Sequence, residues 1–239
     1  MTGAVGSMML GSYLPVVSAP AALPSGSFKS TPVANSTSLD GNFGGTNPIG
    51  TGDFTVEFWY YNNDTAANRC VWECRKYPAG DLGFGIRTNG TAGWLYIKEA
   101  GTIGLSTTTG RSQNTWQHLA LVRSGTTATL YINGNSIATG TGITNNYTNN
   151  SWRIGGFYDS NVSTYVWAGY LDEYRVSNNA RYTANFTPTT TALSSDANTL
   201  LLLHMDGTNG STTFTDSSSY NRTITVGGTA SVSTSVYKI

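Results

Sequence analysis

The stretch Thr115–Gly142 constrains the fold more than any other part of the 239-residue chain. Its dipeptide Asn133-Gly134 separates two runs that are rich in apolar and β-branched residues. A type I′ hairpin turn needs positive φ at both central positions, and Asn and Gly tolerate that conformation. The pattern predicts an antiparallel meander of three strands: Trp116–Arg123, Thr127–Ile132 and Ser136–Thr139.

The composition favours an all-β protein with a polar but nearly uncharged surface. Charged residues form only 11% of the chain, with 13 basic and 13 acidic side chains, whereas ordinary soluble domains contain roughly 25%. Nucleic-acid binding requires a basic surface, so a nucleic-acid partner is not expected. The sequence also lacks a polybasic patch for membrane binding. Abundant Ser, Thr, Asn and Gly are typical of extracellular β proteins and virus fibres.

The segment Phe54–Tyr61 alternates as a strand does. The alternation assigns its side chains to two faces, one with Phe54, Val56 and Phe58 and the other with Thr55, Glu57 and Trp59. Further strands are predicted at 69–75, 83–88, 94–99, 152–155 and 166–176, separated by Gly- and Asn-rich turns. Short strands at this spacing predict a two-sheet sandwich.

Residues 1–25 are interpreted as an extended N-terminal arm. No Lys or Arg precedes Lys29, so the positively charged start of a secretion signal is missing. Glycines interrupt the apolar residues too often for a membrane span. Two interpretations of the arm remain open: a disordered terminus, or a segment that is ordered only against a partner subunit.

Cys70 and Cys74 are predicted to be free, buried thiols. In a strand, positions i and i+4 lie about 13 Å apart, whereas a disulfide requires Cα atoms within about 7 Å. Free thiols suit a protein that folds in a reducing cytoplasm. Two Cys and two distant His give no metal-ligand spacing, so a metal centre on these residues is not expected.

Five motifs within residues 50–190 resemble, in order and spacing, the laminin-G-like domains of the concanavalin A-like superfamily. They are Phe54–Trp59, Trp116–Ala120, Leu130–Gly134, Arg153–Gly155 and Gly169–Arg175. The resemblance implies two curved antiparallel sheets in a jelly-roll sandwich. The tracts Val176–Pro188 and Leu200–Gly207 look like laminin-G-like modules found in bacteriophage and marine viral structural proteins.

The Leu-Leu-Leu-His strand opens the module in relatives but comes last in this chain. Either a truncated second module begins there, or residues 200–239 supply the terminal strands of the same sandwich. We favour the second explanation, because a tetraleucine strand needs burial on both faces and a lone hairpin is not stable. The predicted domain accordingly covers residues 26–239.

Catalysis is not predicted. Retaining glycoside hydrolases need two carboxyl groups about 5–5.5 Å apart, and the Glu-x-Asp-x-x-Glu strand of glucanases with this fold is absent. Asp172 and Glu173 are adjacent, so they are expected to face opposite sides of a strand, and Glu57 is isolated. Asp172 is interpreted as a structural residue that holds a loop or a neighbouring strand. His118 and His204 lie in apolar strands and are interpreted as hydrogen-bonded core residues.

Calcium is the metal that the resemblance implies, because many laminin-G-like domains hold one at the sandwich rim through Asp, Asn and main-chain carbonyl oxygens. The candidate ligands lie in two oxygen-rich turns, Asp159 with Asn161 and Asp206 with Asn209. Such turns also form without a metal, so both pairs have a purely structural reading as well.

Tyrosines on predicted loops are the candidate contacts for a glycan or a partner. Tyr147, Tyr158 and Tyr165, together with Tyr60 and Tyr61, are expected to be exposed and could stack on sugar rings as in lectins. Packing at strand ends or against another subunit explains these residues equally well.

Two functions from different classes agree with the sequence. The first hypothesis is a non-enzymatic virion protein, such as a capsid decoration protein or a tail or fibre component, assembled in the host cytoplasm. Its arm would bind other virion proteins or copies of itself in an oligomeric assembly. The second hypothesis is a carbohydrate-binding adhesion module that recognises cell-surface glycans from an extracellular or cell-surface location.

Overall fold

The computed structural model describes residues 25–31, 37–75, 83–98, 102–157 and 163–239. Within these ranges the chain forms strands and one turn of 3-10 helix, at Ser163–Tyr165. In chain order the strands are β1 (Ser27–Ser30), β2 (Ser38–Asn42), β3 (Phe54–Asn62), β4 (Cys70–Glu73), β5 (Gly85–Asn89), β6 (Gly93–Ile97), β7 (Ile103–Ser106), β8 (Trp116–Ser124), β9 (Thr127–Ile132), β10 (Asn135–Gly140), β11 (Ser151–Ile154), β12 (Gly169–Ser177), β13 (Thr199–Leu203), β14 (Thr225–Gly227) and β15 (Ser231–Ser233).

The strands form two antiparallel sheets. Sheet A has the order β10-β9-β8-β3-β12-β1-β15, and β13 pairs with the second half of β12. Sheet B has the order β14-β2-β11-β4-β5-β6-β7. The prediction of an all-β sandwich with two antiparallel sheets is therefore confirmed.

The predicted meander forms one end of sheet A as β8, β9 and β10. Asn133 and Gly134 have φ values of 49° and 77°, as a turn with two left-handed central residues requires. The carbonyl oxygen of Gly134 accepts the N–H of Phe186 at 2.9 Å, so a distant segment packs directly on this turn.

Aromatic side chains fill the core between the sheets. The predicted alternation of β3 is confirmed, because Phe54, Val56 and Phe58 are fully buried in the core cluster. Phe58 stacks on Tyr174 of β12 with ring centroids 4.7 Å apart and planes 3° apart. Burial of these three side chains between the sheets makes this face of β3 the inward one and the opposite face the outward one.

Both cysteines are fully buried thiols that form no disulfide, as predicted. The Cys74 thiol donates to the carbonyl oxygen of Phe84 at 3.3 Å. Burial and the nearby charge of Glu73 raise the pKa of the Cys70 thiol to about 12. The thiolate is therefore strongly disfavoured in the folded protein.

The strands after residue 198 pair with earlier strands of the same chain. β13 pairs with β12, β14 pairs with β2 and β15 pairs with β1. Leu200–Leu203 are buried on both faces of β13.

Residues 1–24 of the predicted arm lie outside the described residues, and its last residue, Ser25, is exposed. No described helix is long and apolar enough to span a bilayer.

Candidate functional site

The outward face of sheet A carries side chains in rows that cross neighbouring strands. On β3 the outward residues are Thr55, Glu57, Trp59 and Tyr61, because the residues between them face the core. The strand register places Tyr61 opposite Trp116 of β8 and Tyr170 of β12. It places Trp59 opposite His118 and Asp172 in the next row. Each row therefore combines residues that are distant in the sequence.

The 178–198 segment between β12 and β13, called the strap, covers the rows that contain Thr55 and Glu57. Tyr182 and Phe186 of the strap stack with ring centroids 3.5 Å apart. They pack on a small apolar cluster of sheet A that consists of Ala120, Val122 and Tyr131. The strap thus shields these two rows of the outward face from solvent.

Glu57 is the centre of a buried polar cluster beneath the strap, which corrects the expectation that it is isolated. Its carboxylate accepts hydrogen bonds from Arg175 at 2.6 Å and from the Tyr182 hydroxyl at 2.7 Å. His118, 2% exposed, lies 3.4 Å away through Nε2. Burial opposes ionisation of Glu57, but the His118 hydrogen bond and the Arg175 charge outweigh it and lower the pKa to about 2. The cluster joins β3, β8 and β12 to the strap and holds the strap on the sheet.

A β-bulge in β12 places Asp172 and Glu173 on the same outward face, which corrects the expectation of opposite faces. Leu171 and Tyr174 both lie in the core, although an odd separation would place them on different faces of a regular strand. The register against β3 shifts between Asp172 and Arg175, and Glu173 has a φ of 47°. The extra residue of the bulge explains why two successive carboxylates leave the strand on one side.

His204 lies beside the second of these carboxylates, with Nδ1 2.8 Å from Oε1 of Glu173. The hydrogen bond that the imidazole donates to Glu173 raises the pKa of His204 against the opposing effect of burial. The side chain is 26% exposed, so the expectation of a buried core position is wrong for His204; His118 is buried as expected, but beneath the strap and not between the sheets. A cavity of about 230 Å³ opens here, lined by His204, Met205, Asp206, Thr215 and Ser217.

Asp172 holds the 236–239 segment on the outward face of sheet A. Its carboxylate accepts the backbone N–H groups of Lys238 at 2.8 Å and Ile239 at 3.2 Å. Burial raises the pKa of Asp172 to about 8, although both N–H groups act in the other direction. The Lys238 ammonium lies 4.5 Å from the ring centroid of Trp59. The structure thus supports the interpretation of Asp172 as a residue that holds a neighbouring segment.

The row beside that of Trp59, here called the aromatic row, consists of Trp116, Tyr61 and Tyr170. All three side chains remain partly exposed. The ring centroid of Tyr61 lies 5.7 Å from Trp116 and 5.8 Å from Tyr170, with planes tilted by 63° and 78°. Lys29 of β1 continues the row beside Tyr170 and is exposed. Three adjacent strands give the row a length of about 10 Å. The result is a stepped aromatic surface that ends in a cation.

The tyrosines predicted as contacts occupy other positions. Tyr60 and Tyr147 are fully buried, which corrects the expectation that they are exposed, and the Tyr147 hydroxyl pairs with that of Tyr96 in the core. Tyr165 is half-buried and lies 5.2 Å from the guanidinium of Arg87. Tyr158 lies outside the described residues.

Trp116 and Tyr170 are the members of the aromatic row that sequence reasoning missed. Trp116 begins a predicted strand and Tyr170 lies within the predicted strand 166–176. In the structure both lie at the start of their strands, β8 and β12, at the end of the sheet where β3 finishes. Antiparallel pairing of β8 and β12 with β3, which brings Trp116 and Tyr170 beside Tyr61, is the signal that could have identified these two residues.

The four predicted calcium ligands are divided between described and undescribed parts of the chain. Asp159 and Asn161 lie outside the described residues. Asp206 accepts the N–H of Gly26 at 3.0 Å, and Asn209 accepts the N–H of Thr234 at 3.2 Å. The described ranges contain no group of three or more His, Cys, Asp or Glu side chains placed to hold a metal ion. Calcium binding stays a prediction.

Comparison with known proteins identifies a family over most of the sandwich. A laminin G family described as Concanavalin A-like lectin/glucanases superfamily matches residues 36–185. No curated protein matches the sequence.

Several solved structures share the fold. A protein from Bacteroides ovatus, assigned as carbohydrate binding, is 13% identical over 88% of this chain and 60% of that chain, with a TM-score of 0.64. The chain thus spans less than two thirds of that protein. A heptameric SAP-like pentraxin from Limulus polyphemus is 14% identical over 87% and 94% of the two chains, with a TM-score of 0.54. Domains LG4-5 of the mouse laminin α1 chain are 16% identical over 66% and 48%, with a TM-score of 0.43.

Proposed function

Given that the chain belongs to the laminin G family of the concanavalin A-like lectin/glucanases superfamily, we propose that it is a non-enzymatic carbohydrate-binding protein. The observation that carries this proposal is the aromatic row on the outward face of sheet A. The described part of sheet A buries its other outward aromatic residues under the strap or the 236–239 segment, whereas Trp116, Tyr61 and Tyr170 remain partly exposed.

The chemistry of the row suits a sugar chain. A pyranose ring has an apolar face of C–H groups, which can pack on an aromatic ring and release water. The tyrosine hydroxyls add hydrogen-bonding groups at the edges of the surface. Because the rings are tilted by 63° and 78°, the surface favours a twisted glycan over a flat one.

The absence of catalysis is part of the proposal. Glycoside hydrolysis in this superfamily needs two carboxyl groups that both reach the substrate. Glu57 lies under the strap in an ion pair with Arg175. Asp172 is fully buried and accepts two backbone N–H groups. Neither carboxyl group is accessible from the aromatic row.

The Bacteroides ovatus protein supports the proposal, because it shares the sandwich over 88% of this chain and is itself assigned to carbohydrate binding. A carbohydrate-binding protein of this kind would act outside the cell or at its surface. The virion role predicted from Val176–Pro188 and Leu200–Gly207 has no comparable support and stays a prediction, as does oligomerisation through residues 1–25.

A glycan array with the full chain tests the proposal, followed by titration of the best ligand. Trp116→Ala, Tyr61→Ala and Tyr170→Ala should each weaken binding by about tenfold or more, which corresponds to roughly 1.4 kcal/mol per residue. Tyr220→Ala is the matched control, because Tyr220 is 52% exposed and stacks on Arg222 instead. Circular dichroism should show unchanged folding. No bound glycan, or equal affinity in all four variants, would refute the proposal.

A further inference from the structure

We propose that the ligand of the aromatic row is an anionic glycan, with carboxylate or sulfate groups that pair with Lys29 and Lys238. This inference rests on the proposed carbohydrate-binding function and specifies the class of sugar. It also assigns the 236–239 segment a role as one wall of the binding site.

Lys29 is a continuation of the aromatic row. Its backbone pairs with Tyr170 in the antiparallel register of β1 and β12, and its neighbour Phe28 faces the core. Lys29 therefore projects from the outward face, where it is exposed. Its position is two strands from Tyr61, about 10 Å along the row. A sugar stacked on Tyr170 would place its substituents within reach of this ammonium group.

Lys238 approaches the row from the side. The 236–239 segment crosses the outward face along the row that contains Trp59 and Asp172, directly next to the aromatic row. The Ser27 hydroxyl donates to the carbonyl oxygen of Val236, which fixes the start of the crossing. The Lys238 ammonium lies 4.5 Å from the Trp59 ring centroid. Since Trp59 is two residues before Tyr61 on the same face, this charge borders the middle of the row.

Three carboxylate side chains on this face, those of Glu57, Asp172 and Glu173, are bound to other groups of the protein. Asp172 is fully buried and directs its oxygens at backbone N–H groups. Glu57 pairs with Arg175, and Glu173 pairs with His204. Lys29 is exposed and Lys238 is partly exposed, so both ammonium groups can be reached from the aromatic row. Opposite charge on a ligand favours binding and speeds the encounter.

Asp172 is a positioning residue in this arrangement. It does not reach the row itself, but its hydrogen bonds to Lys238 and Ile239 fix the backbone that carries the second ammonium group. Asp172→Ala removes the acceptor of both hydrogen bonds, so it should weaken the contribution of Lys238 and leave that of Lys29 unchanged.

The test is a glycan array that prints each acidic glycan beside its neutral counterpart, a methyl ester for a uronic acid or a desulfated form for a sulfated sugar. We expect the acidic member of a pair to bind about tenfold more tightly at low salt, and the difference to shrink as salt screens the charges. Lys29→Gln and Lys238→Gln should each weaken acidic-glycan binding by about fivefold and leave neutral-glycan binding unchanged. Lys98→Gln, just after β6 in sheet B, is the control.

The outcomes separate the two proposals. If acidic and neutral members bind equally and Trp116→Ala weakens both, carbohydrate binding stands and the anionic preference is overturned. If the acidic preference survives in the double variant of Lys29 and Lys238, the assignment to these lysines is overturned. If no glycan of either kind binds, the proposed function itself fails and this inference fails with it.

Discussion

Asp172 should make the stability of the protein fall as the pH rises from about 4 to about 8. Burial raises its pKa from 3.8 to about 8 in the folded protein. The unfolded chain releases this proton near pH 4, whereas the folded chain keeps it until about pH 8. Between these values the folded state binds more protons, so its extra stability is fully present at low pH and is lost as the pH rises.

The size of the effect follows from the difference between the two pKa values. One pKa unit corresponds to about 1.4 kcal/mol, so a rise from the ordinary value to about 8 sets a ceiling of roughly 6 kcal/mol. Release of the 236–239 segment would admit water to the Asp172 carboxylate and so reduce the loss of stability. We therefore expect the free energy of unfolding to fall by several kcal/mol over this range, a large fraction of the stability of a typical domain.

Urea unfolding, followed by tryptophan fluorescence at pH 4.5 to 8.5, measures the effect. The Asp172→Asn variant should lose most of the pH dependence, because an amide does not titrate. His204 needs a control, because its raised pKa also gives stability that is present below about pH 6.5 and lost at higher pH. His204→Gln removes that contribution. An equal slope in wild type and Asp172→Asn would show that Asp172 does not titrate in this range.

Three further predictions concern the strap, the hairpin turn and calcium. Glu57→Ala should lower the free energy of unfolding by about 3–5 kcal/mol, because it leaves Arg175 buried without its carboxylate partner. Urea unfolding measures this change, and a loss below about 1 kcal/mol would show that the cluster contributes little. Gly134→Ala should destabilise the protein by about 3 kcal/mol or more, because a Cβ there would clash with the Phe186 carbonyl oxygen. Gly125→Ala is the control: its φ is 59° but no atom lies near the new Cβ, so it should cost only about 1 kcal/mol. Calcium at the predicted rim turns should raise the melting temperature relative to a chelator-treated sample, and an unchanged melting temperature would remove that prediction.

The regular parts of the fold could be predicted because their signals are local. The Asn133-Gly134 turn and the alternation of Phe54–Tyr61 depend on residues that are adjacent in the sequence. The bulge at Glu173 could not be predicted in this way. Its sequence, Leu-Asp-Glu-Tyr, agrees with simple alternation, and only packing against the core decides that Leu171 and Tyr174 both turn inward.

The aromatic row escaped prediction for a related reason. Sequence reasoning treated Tyr147 as a loop residue because polar residues surround it, but its ring is enclosed by core aromatics such as Phe54 and Phe84. Trp116 and Tyr170 become neighbours of Tyr61 only through strand register, and register depends on how distant strands pair. A binding surface that combines one residue from each of three strands leaves no continuous motif.

The pairing of β1 with β15 has a consequence for biosynthesis. Ser27 and Ser233 face each other in sheet A, so this contact joins residues from the two ends of the described chain. Folds dominated by such distant contacts have a high contact order and form slowly. Until the last strands leave the ribosome, β12 lacks its partner β13 and β1 has only one neighbour, which exposes an unpaired apolar edge. The nascent chain is therefore exposed to aggregation until β13 and β15 have left the ribosome and paired with these strands.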